Sequence, residues 1–446
     1  MFSNLRALAS AAVLLLGALS FGTVTSYPSP ALMSLKEEYP ELNEPRFESL
    51  ITWFTNAPRL SAALGPFLFI YILPRLGRKF TLSIISFLLS FCWFLFFLIT
   101  LKDNHNNVPF NMLNGVIVRT VMGLFWGAMS SITITYIIEL APSDLVGLFG
   151  SLYQLFIITG ICLNNILGAF VDWKMLFIIG ALINIVFSIC LLVNPDSPVS
   201  AKLKYYVRSK NKNKQSCCQC SCCSCCQKDN SYKKKSSAIQ TSTQIYYKNV
   251  ISSMVMLFFQ QYSGINAILN NLSVIMTASG LDINPNIQSA LSTLVQFLET
   301  LMACFLMDSL GPKSLWIVSS IGCLISLIVY SYCIFDDNTI ASVPNFIPVL
   351  SVFVYCLFFG LGQGPCPWAI FPSMFPDISR FEGVCMMMLS HWMFSFVVCY
   401  THPIIVERIG EFYAILIYSI CCLGSCIYGF FFLDNVKEKE LEDGAM

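Results

Sequence analysis

What this sequence has least of is charge. Only 11% of its 446 residues are Asp, Glu, Lys or Arg, against about 25% in a soluble domain that must present a wetted surface. A water-soluble globular chain of this length is therefore excluded, and no soluble catalytic domain has room to exist. There are three histidines. The chain carries no H-E-x-x-H pair, no nucleophile elbow and no recognisable metal constellation in its apolar segments, so an enzyme is not expected. Nor is a cofactor. Extended polar sequence is scarce too, confined mainly to residues 198–247. The formal net charge of +1 says little about partners, because the positive charge is concentrated in that central stretch. Nucleic acid is not an expected partner.

What is present is apolar: 56% hydrophobic and 14% aromatic residues. Runs of about twenty apolar residues, enough to cross a bilayer as helix, recur along the whole length. They predict spans at 7–26, 50–73, 80–101, 112–138, 146–170 and 174–193, then at 249–277, 287–307, 314–335, 346–371, 383–405 and 412–433. The expected fold class is an all-α polytopic membrane protein of twelve transmembrane helices in two six-helix halves, with the lipid bilayer as its solvent. Arg6 before the first run also suits a cleaved signal peptide, but no small-residue cleavage site is evident through FGTVTSYPSPAL, which favours a retained helix.

Basic residues in short loops favour the cytoplasm. Arg75, Arg78 and Lys79 follow span two, and Lys202, Lys204 and Arg208 open the basic stretch after span six. Glu37, Glu38, Glu41 and Glu44 follow span one, and Asp336 and Asp337 follow span nine. Both termini are thereby expected in the cytoplasm. The expected organisation is an N-terminal half at 1–197, a cytoplasmic linker at 198–247, a C-terminal half at 248–433 and a tail at 434–446. The halves echo each other at an offset of 234 residues: LPRLGRK at 73–79 matches MDSLGPK at 307–313, and YIIELAP at 136–142 matches IFPSMFP at 370–376. Two such halves with a site between them near mid-membrane describe a secondary transporter.

Four further segments carry a resemblance. FFQQYSGIN at 258–266, RTVMGLFWG with YIIELAP in span four, GSLYQLFIITGI in span five and GLGQGPCPW in span ten resemble, in order and spacing, the sugar porter family of the major facilitator superfamily. That family comprises facilitative glucose transporters and their relatives, and the likeness covers nearly the whole chain. SFGTVTSYPSPAL in span one is most similar to the branch holding trehalose transporters and some intracellular hexose transporters. The resemblance implies alternating-access transport of a glucose-like hexose. Another small polar solute, or a sugar receptor that binds without transport, are the alternatives.

Sugar hydroxyls both donate and accept, so amides suit them, whereas ionised groups are costly to dehydrate in each cycle. By resemblance, Gln154, Gln260, Gln261 and Asn266 fall on hexose-contacting positions, Gln296 replaces a family Asn, and Trp368 and Trp392 offer flat apolar faces to a sugar ring. His391 and Ser395 replace Asn residues in span eleven; His391 stands either as a neutral substitute for an amide or as a group titrating near neutrality. The competing reading makes the amides interhelical glue and the tryptophans interface anchors. Asn270 and Asn271 replace a Tyr pair, and Gly360 replaces an acid sometimes found in span ten. Gly and Pro in GLGQGPCPW interrupt the helix, as a gate or as a packing kink.

Family members hold one state with charge pairs at the cytoplasmic helix ends. Arg75, Arg78, Lys79, Arg119, Glu139 and Asp196 remain for this in the first half, and Asp308, Lys313 and Arg380 in the second. Pro74, Val146, Val199 and Ser373 stand where the family carries charge. Val24 occupies the position of a proton-coupling Asp, which favours facilitated diffusion. Glu299 is an intramembrane acid, expected either to pair with Arg59 or Arg119 or to carry a proton.

The linker contains CCQCSCCSCC, with Cys217, Cys218, Cys220, Cys222, Cys223, Cys225 and Cys226. A reducing compartment disfavours disulfides. S-palmitoylation beside a basic run, soft-metal binding and a passive insert are the three readings. A multi-pass location in the plasma membrane is expected, with an intracellular vesicle or vacuole as the alternative.

Overall fold

The computed structural model describes residues 2–101, 108–200, 231–270, 285–335, 344, 346–376 and 379–433. The linker cysteines, Asn271, Asp336 and Asp337 lie outside them. Ten helices among the described residues are long and apolar enough to cross a membrane. Two more complete the twelve: Glu48–Phe69, and the helix ending at Tyr262 and resumed over Ile265–Asn270. Both are less apolar because they turn polar residues inward, notably Asn56 and Arg59 on one and Asn249, Gln260 and Gln261 on the other, all buried.

The spans run Phe2–Ser26, Glu48–Phe69, Arg78–Leu101, Val108–Leu140, Val146–Leu167 and Trp173–Val193 in the first half. In the second they run to Tyr262, then Pro285–Leu310, Pro312–Cys333, Phe346–Leu361 resumed as Cys366–Met374, Arg380–Ile409 and Glu411–Phe431. Span one is longer than expected. After Tyr27 the chain continues as Pro28–Glu38, because proline at a first helical position loses no hydrogen bond. Trp173 Nε1 and Lys174 Nζ then each reach the Glu38 carboxylate at 2.7 Å. This end of the bundle is termed the Glu38 end, and the opposite one the Arg78 end.

Within the first half, span two packs along four, three along six, and one along five. Span three shows how the residue pattern dictates this. Ile84, Phe87, Phe91, Phe94 and Leu98 are exposed, a helical stripe facing lipid. The other side carries Ser83, Ser86 and Ser90: Ser83 Oγ lies 2.9 Å from Ser188 Oγ, Ser86 donates to the Asn184 carbonyl at 2.8 Å, and Ser90 to the Ala181 carbonyl at 2.9 Å. Lipid supplies no hydrophobic force between helices, so small polar contacts of this kind hold the pair.

The internal repeat has a backbone counterpart. Gly77 and Gly311 have φ of 92° and 80°, a region L side chains rarely adopt, and each sets the sharp turn that starts the third helix of its half.

Candidate functional site

The halves meet along spans two and eleven, four and eleven, five and eight, and five and ten. Between them lies a cavity whose empty space, its open mouth included, is about 700 Å³. Gln154, Gln260, Gln261, Asn266, Gln296, Trp368, His391 and Trp392 all line it. All eight residues singled out in the sequence are thus brought to one place. Phe21, Thr25, Arg59, Phe359 and Ser395 line it as well.

Two helix breaks build the wall. Span ten stops at Leu361 and restarts at Cys366, as its Gly and Pro content predicts. The carbonyls released there are taken by Gln260 Nε2, 2.8 Å from that of Gln363 and 3.1 Å from that of Gly364. Span seven breaks at Ser263–Gly264, where Gly264 has φ 88°; an unbroken helix over 249–277 was expected. The break lets Asn266 fold back, so that its Nδ2 donates to Gln261 Oε1 at 2.8 Å and to Ser395 Oγ at 3.4 Å. Gln261 Nε2 lies 3.3 Å from Gln260 Oε1 and 3.2 Å from His391 Nδ1. With Gln261 Oε1 accepting from Asn266, this amide donates to the ring, which suits neutral imidazole protonated at Nε2.

The amides therefore divide. Gln260, Gln261 and Asn266 form a chain whose groups are largely engaged, presenting a fixed polar wall. Gln154 makes no hydrogen bond among the described residues, and Gln296 Nε2, Trp368 Nε1 and Trp392 Nε1 are buried donors with no protein partner. Buried donors are rarely left unpaired without a reason, and three of them around one cavity, beside the partly exposed Gln154 amide, invite a ligand. The Trp392 ring also packs 4.4 Å from Trp126 and 5.4 Å from Phe21, an aromatic cluster joining the halves. Sequence reading passed over Trp126 and Phe21, which only their tertiary neighbours distinguish from lipid-facing aromatics.

The cavity is closed toward the Arg78 end. There Trp368 packs 5.7 Å from Tyr153, and Gly150 of span five presses on the backbone of Trp368 and Ala369. Thr25, Ile161, Asn266 and Leu269 are partly exposed and lie toward the Glu38 end.

The charged residues at the Arg78 end do not form the expected set of pairs. Among the described residues one buried pair exists there, within the first half: Arg78 Nη2 lies 2.7 Å and Nε 3.2 Å from the two oxygens of Glu139. Ser197 Oγ also bonds to Glu139. The Asp196 carboxylate accepts from the Lys79 amide and Ser200 Oγ, and the Lys79 ammonium lies over the Phe80 ring. Arg380 Nε donates to the Pro372 carbonyl at 2.9 Å. Arg75 is exposed, and neither it nor Lys313 makes an ion pair among the described residues. Arg119 is corrected outright. It stands twenty residues before Glu139 on one helix, about 30 Å at 1.5 Å per residue, and donates to the Phe54 carbonyl between the Tyr27 and Phe54 rings.

Glu299 pairs with neither arginine. Both its carboxyl oxygens are buried without a partner, and the side chain fills the space beside Gly360. Asp308 makes the cross-half link: its Oδ2 accepts the Leu148 amide at 3.0 Å, a carboxylate at the N-terminus of span five. Such a contact contributes about 0.3–1 kcal/mol when exposed and up to ~2 when partly buried. Asp308→Ala should loosen closure at the Arg78 end, lowering apparent substrate affinity from the open side by up to about thirtyfold; unchanged affinity in a binding titration would remove Asp308 from the latch.

The model of the sugar (and other) transporter family matches residues 10–445, and the chain belongs to that family. It is a multi-pass membrane transporter with the major facilitator fold, not an enzyme. It is 26% identical over 445 residues to the facilitated trehalose transporter Tret1 of Bombyx mori, covering 96% of this chain and 84% of that one. The Tret1 protein of Apis mellifera ligustica is 26% identical over 441 residues, covering 96% and 85%. Among solved structures, the proton:xylose symporter XylE bound to 6-bromo-6-deoxy-D-glucose superposes with a TM-score of 0.78 at 20% identity, covering 97% of both chains. Inward open XylE from E. coli gives 0.71 at 21%, covering 98% of both.

Proposed function

We propose that this protein is a facilitative carrier of a hexose-like sugar, working by alternating access between the two halves. The observation that carries this is the cavity: a wall of linked amides, buried unpaired donors on Gln296, Trp368 and Trp392, the Gln154 amide, and two indole faces, all between halves that touch on one side of it. Amides and indoles suit a ring with hydroxyls on its rim and C–H groups on its faces. Uniport is favoured over proton symport because Val24 is buried apolar and none of the residues lining the cavity is Asp or Glu.

A disaccharide is the second reading. The named relatives are trehalose transporters.

The test is uptake of radiolabelled glucose and trehalose into proteoliposomes, with and without a proton gradient. Saturable, stereospecific uptake that ignores the gradient is expected. Gln261→Ala removes the hub linking Gln260, Asn266 and His391, and should cut uptake by about a hundredfold, as for a lost buried network. Binding without flux would point to a receptor, and neither flux nor binding with both sugars would reject them as substrates and send the search to other solutes.

A further inference from the structure

The cavity contains a charge that a neutral sugar does not need. Arg59 lines it from span two and is only 6% exposed. Its Nη1 donates to Asn56 Oδ1 at 2.8 Å and to the Thr55 carbonyl at 3.4 Å, both on its own helix. Among the described residues Nε and Nη2 make no hydrogen bond and the guanidinium makes no ion pair. The residues lining the cavity include no carboxylate that could offset it. Glu299, the buried acid of the second half, packs against Gly360 and has no bond to it.

An arginine inside a membrane domain is costly unless it faces a cavity or a counter-charge. This one has the cavity and, among the described residues, no counter-charge. The neighbouring polar groups lean the same way. Trp368 Nε1 and Trp392 Nε1 are buried, unpaired and able only to donate. The site therefore offers unpaired donors and one positive charge without a counter-charge among the described residues; the hydroxyls of a neutral sugar can accept from those donors but bring nothing to balance the charge.

We propose that the preferred substrate of this cavity is an acidic sugar, a hexose ring bearing one carboxylate as in a uronate, with the carboxylate on Arg59. This rests on the sugar-carrier reading and narrows it. A guanidinium fork matches the two oxygens of a carboxylate, and one ligand charge balances the one cavity charge. A sugar phosphate, at about −1.5 to −2, would leave a surplus negative charge among dehydrated groups. The ring would lie against Trp368 and Trp392, with its hydroxyls toward Gln154 and Gln296.

The experiment is competition against radiolabelled glucose in proteoliposomes holding the full chain, with glucuronate, unlabelled glucose and glucose 6-phosphate as competitors. Labelled glucuronate uptake is measured directly alongside. Glucuronate should compete about ten- to a hundredfold better than glucose, the gain of one charge-assisted contact. Arg59→Gln should abolish that preference, and Arg59→Lys, which keeps the charge but loses the fork, should retain part of it. Thermal midpoints of both variants in detergent show that they fold, and glucuronate should raise the parent's midpoint but not that of Arg59→Gln. Glucose transport with no competition by glucuronate would overturn the inference and leave the carrier reading standing. Competition by the phosphate alone would overturn the carboxylate assignment. Failure of all three sugars to be carried or bound would overturn both readings together.

Discussion

Replacing Arg78 with methionine should cost this protein more of its stability than loss of any other single surface-end charge. Arg78 and Glu139 are both buried, their side chains 2% and 0% exposed, at 2.7 Å. A variant lacking the guanidinium leaves the Glu139 carboxylate enclosed with only the Ser197 hydroxyl on it. Breaking a buried pair from one side costs about 3–5 kcal/mol, a large share of the ~5–15 kcal/mol that holds a typical fold. Replacing both charges removes the stranded ion, so Arg78→Met combined with Glu139→Gln should recover most of the loss. The repeat explains why no second buried pair is seen among the described residues. At the 234-residue offset the counterparts of Arg78 and Glu139 are Pro312 and Ser373, and Ser373 spends its hydroxyl on the Ile370 carbonyl of its own helix. Thermal midpoints of the monodisperse protein in detergent decide the matter. A single variant within about 1 kcal/mol of the parent, or a double variant as unstable as the single, would mean that the pair does not bear on stability.

Span positions were legible because lipid demands long apolar runs, and those runs leave little freedom in where a helix lies. The repeat was legible for a related reason: Gly77 and Gly311 are required by their positive φ, so the same residue recurs at the same turn. Span one, expected to end at 26, runs on because Pro28 sits at the start of a new helix, where it costs no hydrogen bond. The break at Gly264 was hidden within a segment read for its amides. For the site, residue types located the cavity wall, since polar groups in membrane helices need a reason to be there. They did not reveal that Gln260 is committed to the carbonyls of span ten while Gln154 is free. That distinction is one of distances and arises only when spans seven and ten meet. Arg119 was grouped with the latch for its charge, although its place in span four already put it near the other end. Arg59 was weighed only as a partner for Glu299, because sequence cannot show that a cation meets no counter-charge.

Valine at position 150 should slow transport without unfolding the protein. A Cβ there would sit 2.5 Å from Ala369 Cα and 2.8 Å from its nitrogen, with the Trp368 carbonyl at 2.9 Å. All three are backbone atoms, so no rotamer change relieves the contact. The clash lies between span five and the second segment of span ten, hence between the two halves and not within either. Its cost, about 1–3 kcal/mol for overpacking, therefore falls on the state closed at the Arg78 end, disfavouring it by roughly 5–150-fold. Carriers that cycle through that state should lose uptake in proportion, while the thermal midpoint stays near the parent's and Gly150→Ala shows a smaller loss of the same sign. Uptake within twofold of the parent would mean that closure does not pass through this contact, and a collapse of the midpoint would make Gly150 a residue of folding instead. Gly150 and Gln154 are four residues apart, on one face of one helix. The surface of span five that seals the Arg78 end is thus continuous with the surface that offers Gln154 to the cavity. Any tilt that separates Gly150 from Ala369 must also move that amide, which couples release of the closed end to a changed grip on whatever the cavity holds.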